Sequence, residues 1–254
     1  MTTPRESLRT ALARRVVPRP PGSPSGRPVG AARAASWLPV IATVALLGFS
    51  YAARVDVIGV FSPARGWAAM TLRPVPPVWH FAVAGLLLGV LPVVAARRLT
   101  GLSLADLGLG FGRVRSGLVW LAVGIPLAIL AGKISASSAV MRAVYPLDPS
   151  VTLQVERFVP YAAAQFLYFG SWEVLFRGVL LFGLRRPLGA GGANGLQTAL
   201  SVTAHFGRAL NETVAALAAG PVFGWVDLRL GSVWYVAVIH WTVGVSQDWF
   251  VLHR

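Results

Sequence analysis

The sequence predicts an all-α, polytopic transmembrane bundle of six to eight helices. Three observations carry that prediction. The 254 residues have a mean hydropathy of +0.64 and only 13% are charged, against about 25% in a soluble domain. Long apolar runs recur from Trp37 to the C-terminus, separated by short segments rich in Pro, Gly and Arg. The bases flank those runs, the distribution that lipid headgroups and the positive-inside rule produce. The net charge of +14 therefore points to a membrane surface and not to nucleic acid. With no cysteine, neither disulfides nor thiolate metal sites are available.

Residues 1–35 hold seven arginines and one acid among Pro, Gly, Ala and Ser. Such a segment buries too little apolar area to fold alone and is expected to be a disordered basic tail. It is too long and Pro-rich to read as a signal peptide. Residues 36–254 are expected to form one membrane domain, since no soluble stretch is long enough for a second. The spans are predicted at Trp37–Ala53, Val78–Ala96, Gly117–Gly132, Phe158–Leu184, Leu196–Leu210, Thr213–Leu228 and Ser232–Val251. Arg54–Pro77 reads as a loop with four prolines, Leu102–Leu109 as a short amphipathic interfacial piece, Tyr145–Glu156 as a loop and Gly189–Gly195 as a Gly-rich turn. With the N-terminus inside, the inner segments hold fourteen bases and the outer ones seven. That asymmetry favours a multi-pass protein of the cell (plasma) membrane with a cytoplasmic N-terminus.

The run Phe158–Leu184 contains two charged residues, Glu173 and Arg177. A charge at the bilayer centre costs about 2.5–3.5 kcal/mol on insertion scales. The i,i+4 spacing lets the two pair on one helix face, which offsets part of that cost without explaining why charge is there. A structural ion pair and a functional carboxylate held by an arginine both fit this helix taken alone.

Two of the four histidines, His205 and His240, fall inside predicted apolar helices. Counted from the inner helix ends, Glu173, His205 and His240 lie about 12–17 Å deep, near the middle of a ~30 Å hydrocarbon core. Three helices thus bring a carboxylate and two imidazoles to one level. Such a set can activate a water and pass its proton to a leaving amine, and the second imidazole can hold an oxyanion or a metal. Ser201, one turn before His205, has no visible orienting acid, so a Ser–His triad is not indicated, and there is no His-Glu-x-x-His.

Glu173-x-x-x-Arg177-Gly178, a histidine on the next helix and another on the last resemble the CAAX protease and bacteriocin-processing (CPBP, or Abi) family of intramembrane proteases. The resemblance covers roughly residues 100–250 and includes Leu104-Ala105-Asp106-Leu107-Gly108-Leu109. The usual first motif is Glu-Glu-x-x-x-Arg, and here Trp172 replaces the first Glu, the residue usually assigned to water activation. Trp-Glu-x-x-Phe-Arg-Gly is similar to a recurring variant in which the histidine is followed by Gly-Lys/Arg and, seven residues on, a Glu. Here those are His205, Gly207-Arg208 and Glu212. Ser201 stands where the second motif has Phe. Gly244 stands where the third has Asn or Asp, with Asp248 one turn later.

The resemblance implies an intramembrane endopeptidase acting on membrane-anchored peptide or protein substrates, such as lipidated tails or sorting signals. In it Glu173 is the carboxylate base or its partner, Arg177 orients it, His205 is base or ligand, and His240 is the oxyanion or metal partner. Glu212 either pairs with Arg208 or turns inward to replace the missing carboxylate. Two histidines with one or two carboxylates satisfy a zinc site or a metal-free glutamate mechanism. Trp172 and Gly244 leave open a pseudoprotease that only binds membrane peptides. Buried charges leave open a small-ion or proton carrier, against which no inverted repeat is visible.

Overall fold

The computed structural model describes residues 28–52, 77–148, 150–206 and 208–253. They form helices α1 (Pro28–Ala52), α2 (Pro77–Ala84), α3 (Leu91–Thr100), α4 (Val114–Ala136), α5 (Ala139–Val144), α6 (Val155–Glu173), α7 (Gly183–Ala204), α8 (Leu210–Leu230) and α9 (Trp234–Leu252). Two π-helical segments, π1 (Gly85–Val90) and π2 (Val174–Phe182), join α2 to α3 and α6 to α7 without a break. Among the described residues there is no strand. Five helical stretches are long and apolar enough to cross a membrane: Gly30–Ala52, Trp79–Thr100, Val114–Ala136, Val155–Ala204 and Leu210–Leu230. The protein is an integral membrane protein, and α9, about 28 Å long at 1.5 Å per residue, is of spanning length as well.

The stretch Val155–Ala204 organises the bundle. In its most apolar window 83% of residues are buried, against 22–39% in the other four. It reverses at Gly189, whose φ of 71° and ψ of 164° are open to glycine at little steric cost. The turn expected over Gly189–Gly195 is thus confined to one residue, and residues 190–204 are already helical. On one side π2 packs with α1, π1 and α7 around Leu38, Leu88, Leu175, Phe176, Leu180 and Leu184. On the other, α4 lies against α9 at glycines: a Cβ on Gly117, Gly124 or Gly132 would stand within 2.4 Å of Tyr235, Ile239 or Ser246.

Other expectations shift in detail. The first helix starts at Pro28, so residues 28–35, read as part of the tail, are helical; residues 1–27 and the loop 54–76 lie outside the described residues. α6 begins at Val155, inside the expected loop. The short interfacial piece Leu102–Leu109 is built around a turn over residues 104–108. Its neighbourhood ties the arginine-rich ends together: Asp106 pairs with Arg186 at 3.1 Å, Val233 donates its N–H to the Gly108 carbonyl, and Trp234 and Tyr235 donate to the carbonyls of Leu109 and Phe111. These backbone acceptors pin the start of α9, which sets the height of His240 one and a half turns later. Asp106 accepts from the Ser103 N–H and hydroxyl. Burial raises its pKa, but Ser103, Arg186 and Arg185 outweigh that and hold it below the usual aspartate value.

Candidate active site

Glu173 is the last residue of α6 and Arg177 lies in π2. Both side chains are buried, at 0% and 3% exposure. Arg177 Nη1 donates to Glu173 Oε1 at 3.3 Å, and Nε stands 3.2 Å from Oε2 in charge contact without hydrogen-bond alignment. His240 comes from α9 and places Nδ1 2.6 Å from Glu173 Oε1. Since a carboxylate only accepts, Nδ1 carries the proton and Nε2 faces the remaining space. Phe169 and Phe223 flank the imidazole, with ring centroids at 4.9 and 5.9 Å. The Glu173 carboxylate is therefore fully buried, with His240 and Arg177 on Oε1 and only the Arg177 charge beside Oε2.

The sequence placed His205 inside a helix, but α7 ends at Ala204 and His205 caps it. Its Nδ1 donates to the Ser201 carbonyl at 2.7 Å, so its Nε2 is also the free nitrogen. Glu173 lies sixteen residues before the Gly189 turn and His205 sixteen after it. Two antiparallel helices of equal length return the chain to the same height, and the Trp172 ring, 5.1 Å from the His205 ring, confirms the contact. The rise from Gly189 to His205, about 24 Å, falls short of a ~30 Å core. If Gly189 marks one membrane edge, His205 and Phe206, which are no longer helical, fall within the membrane thickness, where such backbone is tolerated only if it is buried in protein or lines a polar cavity.

Trp172, in the place of the family's first Glu, is 3% exposed and packs between the rings of Phe176 and His205. Indole only donates, so it contributes shape and no base. Glu212, in the first turn of α8, pairs with Arg208 at 3.6 Å and accepts from the Tyr145 hydroxyl at 3.2 Å. Arg208 also donates to the Tyr168 hydroxyl. Burial pushes the Tyr145 phenol pKa up against the opposing charge of Arg208, which keeps it a donor. Among the described residues neither histidine is a hydrogen-bond or ion-pair partner of Glu212.

One departure from the family motifs, Gly244, has a steric reason. A Cβ on Gly244 would lie 2.3 Å from the Phe169 ring, the ring that braces His240. Asp248 does not reach that histidine; its Oδ2 accepts from Tyr161 and Gln165 at 2.9 and 2.6 Å. One residue was missed. Asp227, on α8, is fully buried and neither oxygen has a hydrogen-bond partner among the described residues. The signal was present, because it is the one charged residue in the apolar run Thr213–Leu228.

Among the described residues no group of three or more His, Asp or Glu is disposed to hold a metal ion. A helical membrane bundle that buries a carboxylate, an arginine and a histidine on separate segments, with a second histidine at equal height, defines a polar intramembrane site. Residues 157–246, which contain all of these side chains, match the family described as type II CAAX prenyl endopeptidase Rce1-like. The match is to that segment alone, and it is a likeness to that family. No curated protein and no solved structure matches it.

Proposed function

We propose that this protein is an intramembrane endopeptidase that hydrolyses membrane-proximal peptide tails, with Glu173, Arg177, His205 and His240 as its working set. The observation that carries the reading is the 2.6 Å contact between Glu173 and His240 Nδ1. A buried carboxylate that holds Nδ1–H fixes the tautomer and stabilises the imidazolium that forms when Nε2 takes a proton from water. Arg177 keeps the carboxylate ionised and oriented. The hydroxide adds to the scissile carbonyl, the proton on His240 passes to the leaving amine, and His205, with its Nε2 unprotonated in the resting state, is the second group able to relay it. The side chain assigned to water activation is thus His240 acting with Glu173, while Glu212 steadies the 205–209 turn through Arg208 and Tyr145.

The substrate class, a membrane-anchored peptide or protein, comes from the family resemblance and from the depth of the site. The arginine-rich ends, which Asp106–Arg186 and Arg113–Leu230 contacts bring to one face, support a cytoplasmic N-terminus in the plasma membrane. Purified protein in proteoliposomes, offered reporter tail peptides with and without chelator, tests the proposal. Glu173→Gln is expected to lower turnover by about 10³–10⁴-fold, by analogy with loss of the orienting acid in a triad, and His240→Ala and His205→Ala to abolish it. Near wild-type turnover in Glu173→Gln sinks the dyad. Trp172, filling the first carboxylate position, favours one second reading: a peptide-binding pseudoprotease. Tail peptides that bind without being cleaved decide for it.

A further inference from the structure

At its arginine-rich end α3 leads into a crook in the chain. The helix stops at Thr100 because Gly101 takes a φ of 76°, which glycine reaches at little steric cost. The Gly101 N–H closes on the Arg97 carbonyl at 3.0 Å. The Thr100 hydroxyl donates to the Ala96 carbonyl and accepts from the Leu102 N–H, which ties the outgoing chain to the last helical turn. Between the two lies an open cavity of about 440 Å³ lined by Val94, Arg97, Arg98, Gly101, Leu102 and Ser103. Small-ligand sites run from about 300 to 1,000 Å³.

One side of this cavity is cationic. Arg97 and Arg98 are exposed, and among the described residues neither is in an ion pair. The acid of the adjoining turn, Asp106, is already engaged. It accepts from the Ser103 N–H and hydroxyl and pairs with Arg186 at 3.1 Å. Two permanent charges are thus left without a counter-ion at any ordinary pH. Basic residues in a last turn complement the helix dipole, which calls for no cavity around them.

The other side is apolar. Val94, one turn before both arginines, is 48% exposed, and Leu91 and Val90, a further turn back, are 48% and 57% exposed. All three belong to the stretch Trp79–Thr100, which is long and apolar enough to span, so what they face is acyl chain. A ligand that fits is anionic at the end of the span and apolar along it. Residues 1–35, with seven arginines and one acid, have the wrong charge to fill the place.

We propose that the crook at the end of α3 binds the phosphate headgroup of one anionic phospholipid, with Arg97 and Arg98 on the headgroup and Val94 and Leu91 along an acyl chain. Guanidinium forks match phosphate oxygens, and basic pockets at the ends of membrane helices suit such headgroups. A zwitterionic lipid brings its own cation to the two arginines and is the poorer ligand. None of the lining residues belongs to the Glu173–His240 site, and the assignment stands whether or not that site cleaves peptides.

The test is native mass spectrometry of the full-length protein in neutral detergent, titrated with phosphatidylglycerol or phosphatidylcholine. The expected result is one phosphatidylglycerol held more tightly than phosphatidylcholine. With each arginine worth about 5-fold, Arg97→Gln/Arg98→Gln should weaken that lipid about 30-fold and leave phosphatidylcholine unaffected. Val94→Trp, which fills the cavity and keeps both charges, should also expel it. Arg113→Gln/Arg115→Gln removes the same charge at the same end, outside the cavity, and should change nothing. Equal affinity for the two lipids overturns the site. Equal losses in the two double variants overturn it too, because they show attraction to a basic surface and not to a place on it. Undiminished binding in Val94→Trp overturns the cavity as the seat of the lipid. Displacement of phosphatidylglycerol by inorganic phosphate at equal concentration overturns the lipid as its ligand. The substituted side chains are all exposed, and the comparison of two lipids on the unsubstituted protein needs no variant to fold.

Discussion

The molecule contains two Glu/Arg pairs at the same i,i+4 spacing, and they do different work. Glu173–Arg177 lies on an unbroken helical stretch at 3.2 Å, with 0% and 3% exposure. Arg208–Glu212 straddles a helix break at 3.6 Å, with 32% and 16%. In the first, one carboxylate binds an arginine and a histidine from another helix. In the second, arginine and carboxylate both turn to tyrosines. The first is therefore shut off from solvent, and the second, partly exposed, bridges the residues beyond His205. The spacing rule is the same in both and predicts neither.

Removal of the arginine should separate the two most widely. Arg177→Ala strands a fully buried carboxylate and should cost about 3–5 kcal/mol, and it should melt below Glu173→Gln, which leaves no charge behind. Arg208→Ala should cost about 1 kcal/mol or less. Thermal unfolding in detergent measures all three, and equal losses for the two arginines would erase the contrast. Next in size is Gly244→Asn, which restores the family's polar residue on paper. With its Cβ driven into Phe169 it should lose about 1–3 kcal/mol and gain no cleavage. A stable Asn variant with higher turnover would show that His240 tolerates a moved Phe169.

Tyr145→Phe removes the hydroxyl that donates to Glu212 and accepts from Arg208 and should cost about 0.5–1.5 kcal/mol without changing turnover beyond a few-fold, whereas a loss comparable to that of Glu173→Gln would move Glu212 into the chemistry. The smallest effect is at the arginine-rich end. The folded pKa of Asp106 is depressed, so its contribution is present at neutral pH and is lost as pH falls below the unfolded value near 3.9 and through the lower folded one. Asp106→Asn should therefore be less stable than the parent by about 0.2–1 kcal/mol at pH 7, and the gap should narrow steadily in unfolding experiments as pH is taken below about 3.9. A gap that persists in acid would mean that charge is not its source.

Much of this was legible beforehand. Hydropathy runs gave the spans because a bilayer demands long apolar helices, and two charges in such a run marked Glu173 and Arg177. The contact of His240 with Glu173 is a meeting of helices that depth counting anticipates only as a shared level. The position of His205 was harder, since four glycines in residues 189–195 give no sign of which one turns. Asp227 was overlooked because no familiar motif surrounds it, although the same test that singled out Glu173 applies to it. The reason for Gly244 could not be read at all, because it lies in the ring of a residue on another helix.

The π2 segment has a consequence for how this helix can vary. An α-helix advances 100° per residue, and a π stretch accommodates residues that a regular helix would place elsewhere around the axis. Glu173 stands at its mouth, and Gly183 and Leu184, buried against α1, stand beyond it. The carboxylate and the packing face beyond it therefore keep separate angular phases, joined by a coupling that is neither straight nor broken. Loss of one residue within Val174–Phe182 would rotate one face against the other by about 100° while leaving every apolar residue count nearly unchanged. The length of that short stretch, more than its composition, decides whether the carboxylate and the wall behind it point the right way at the same time.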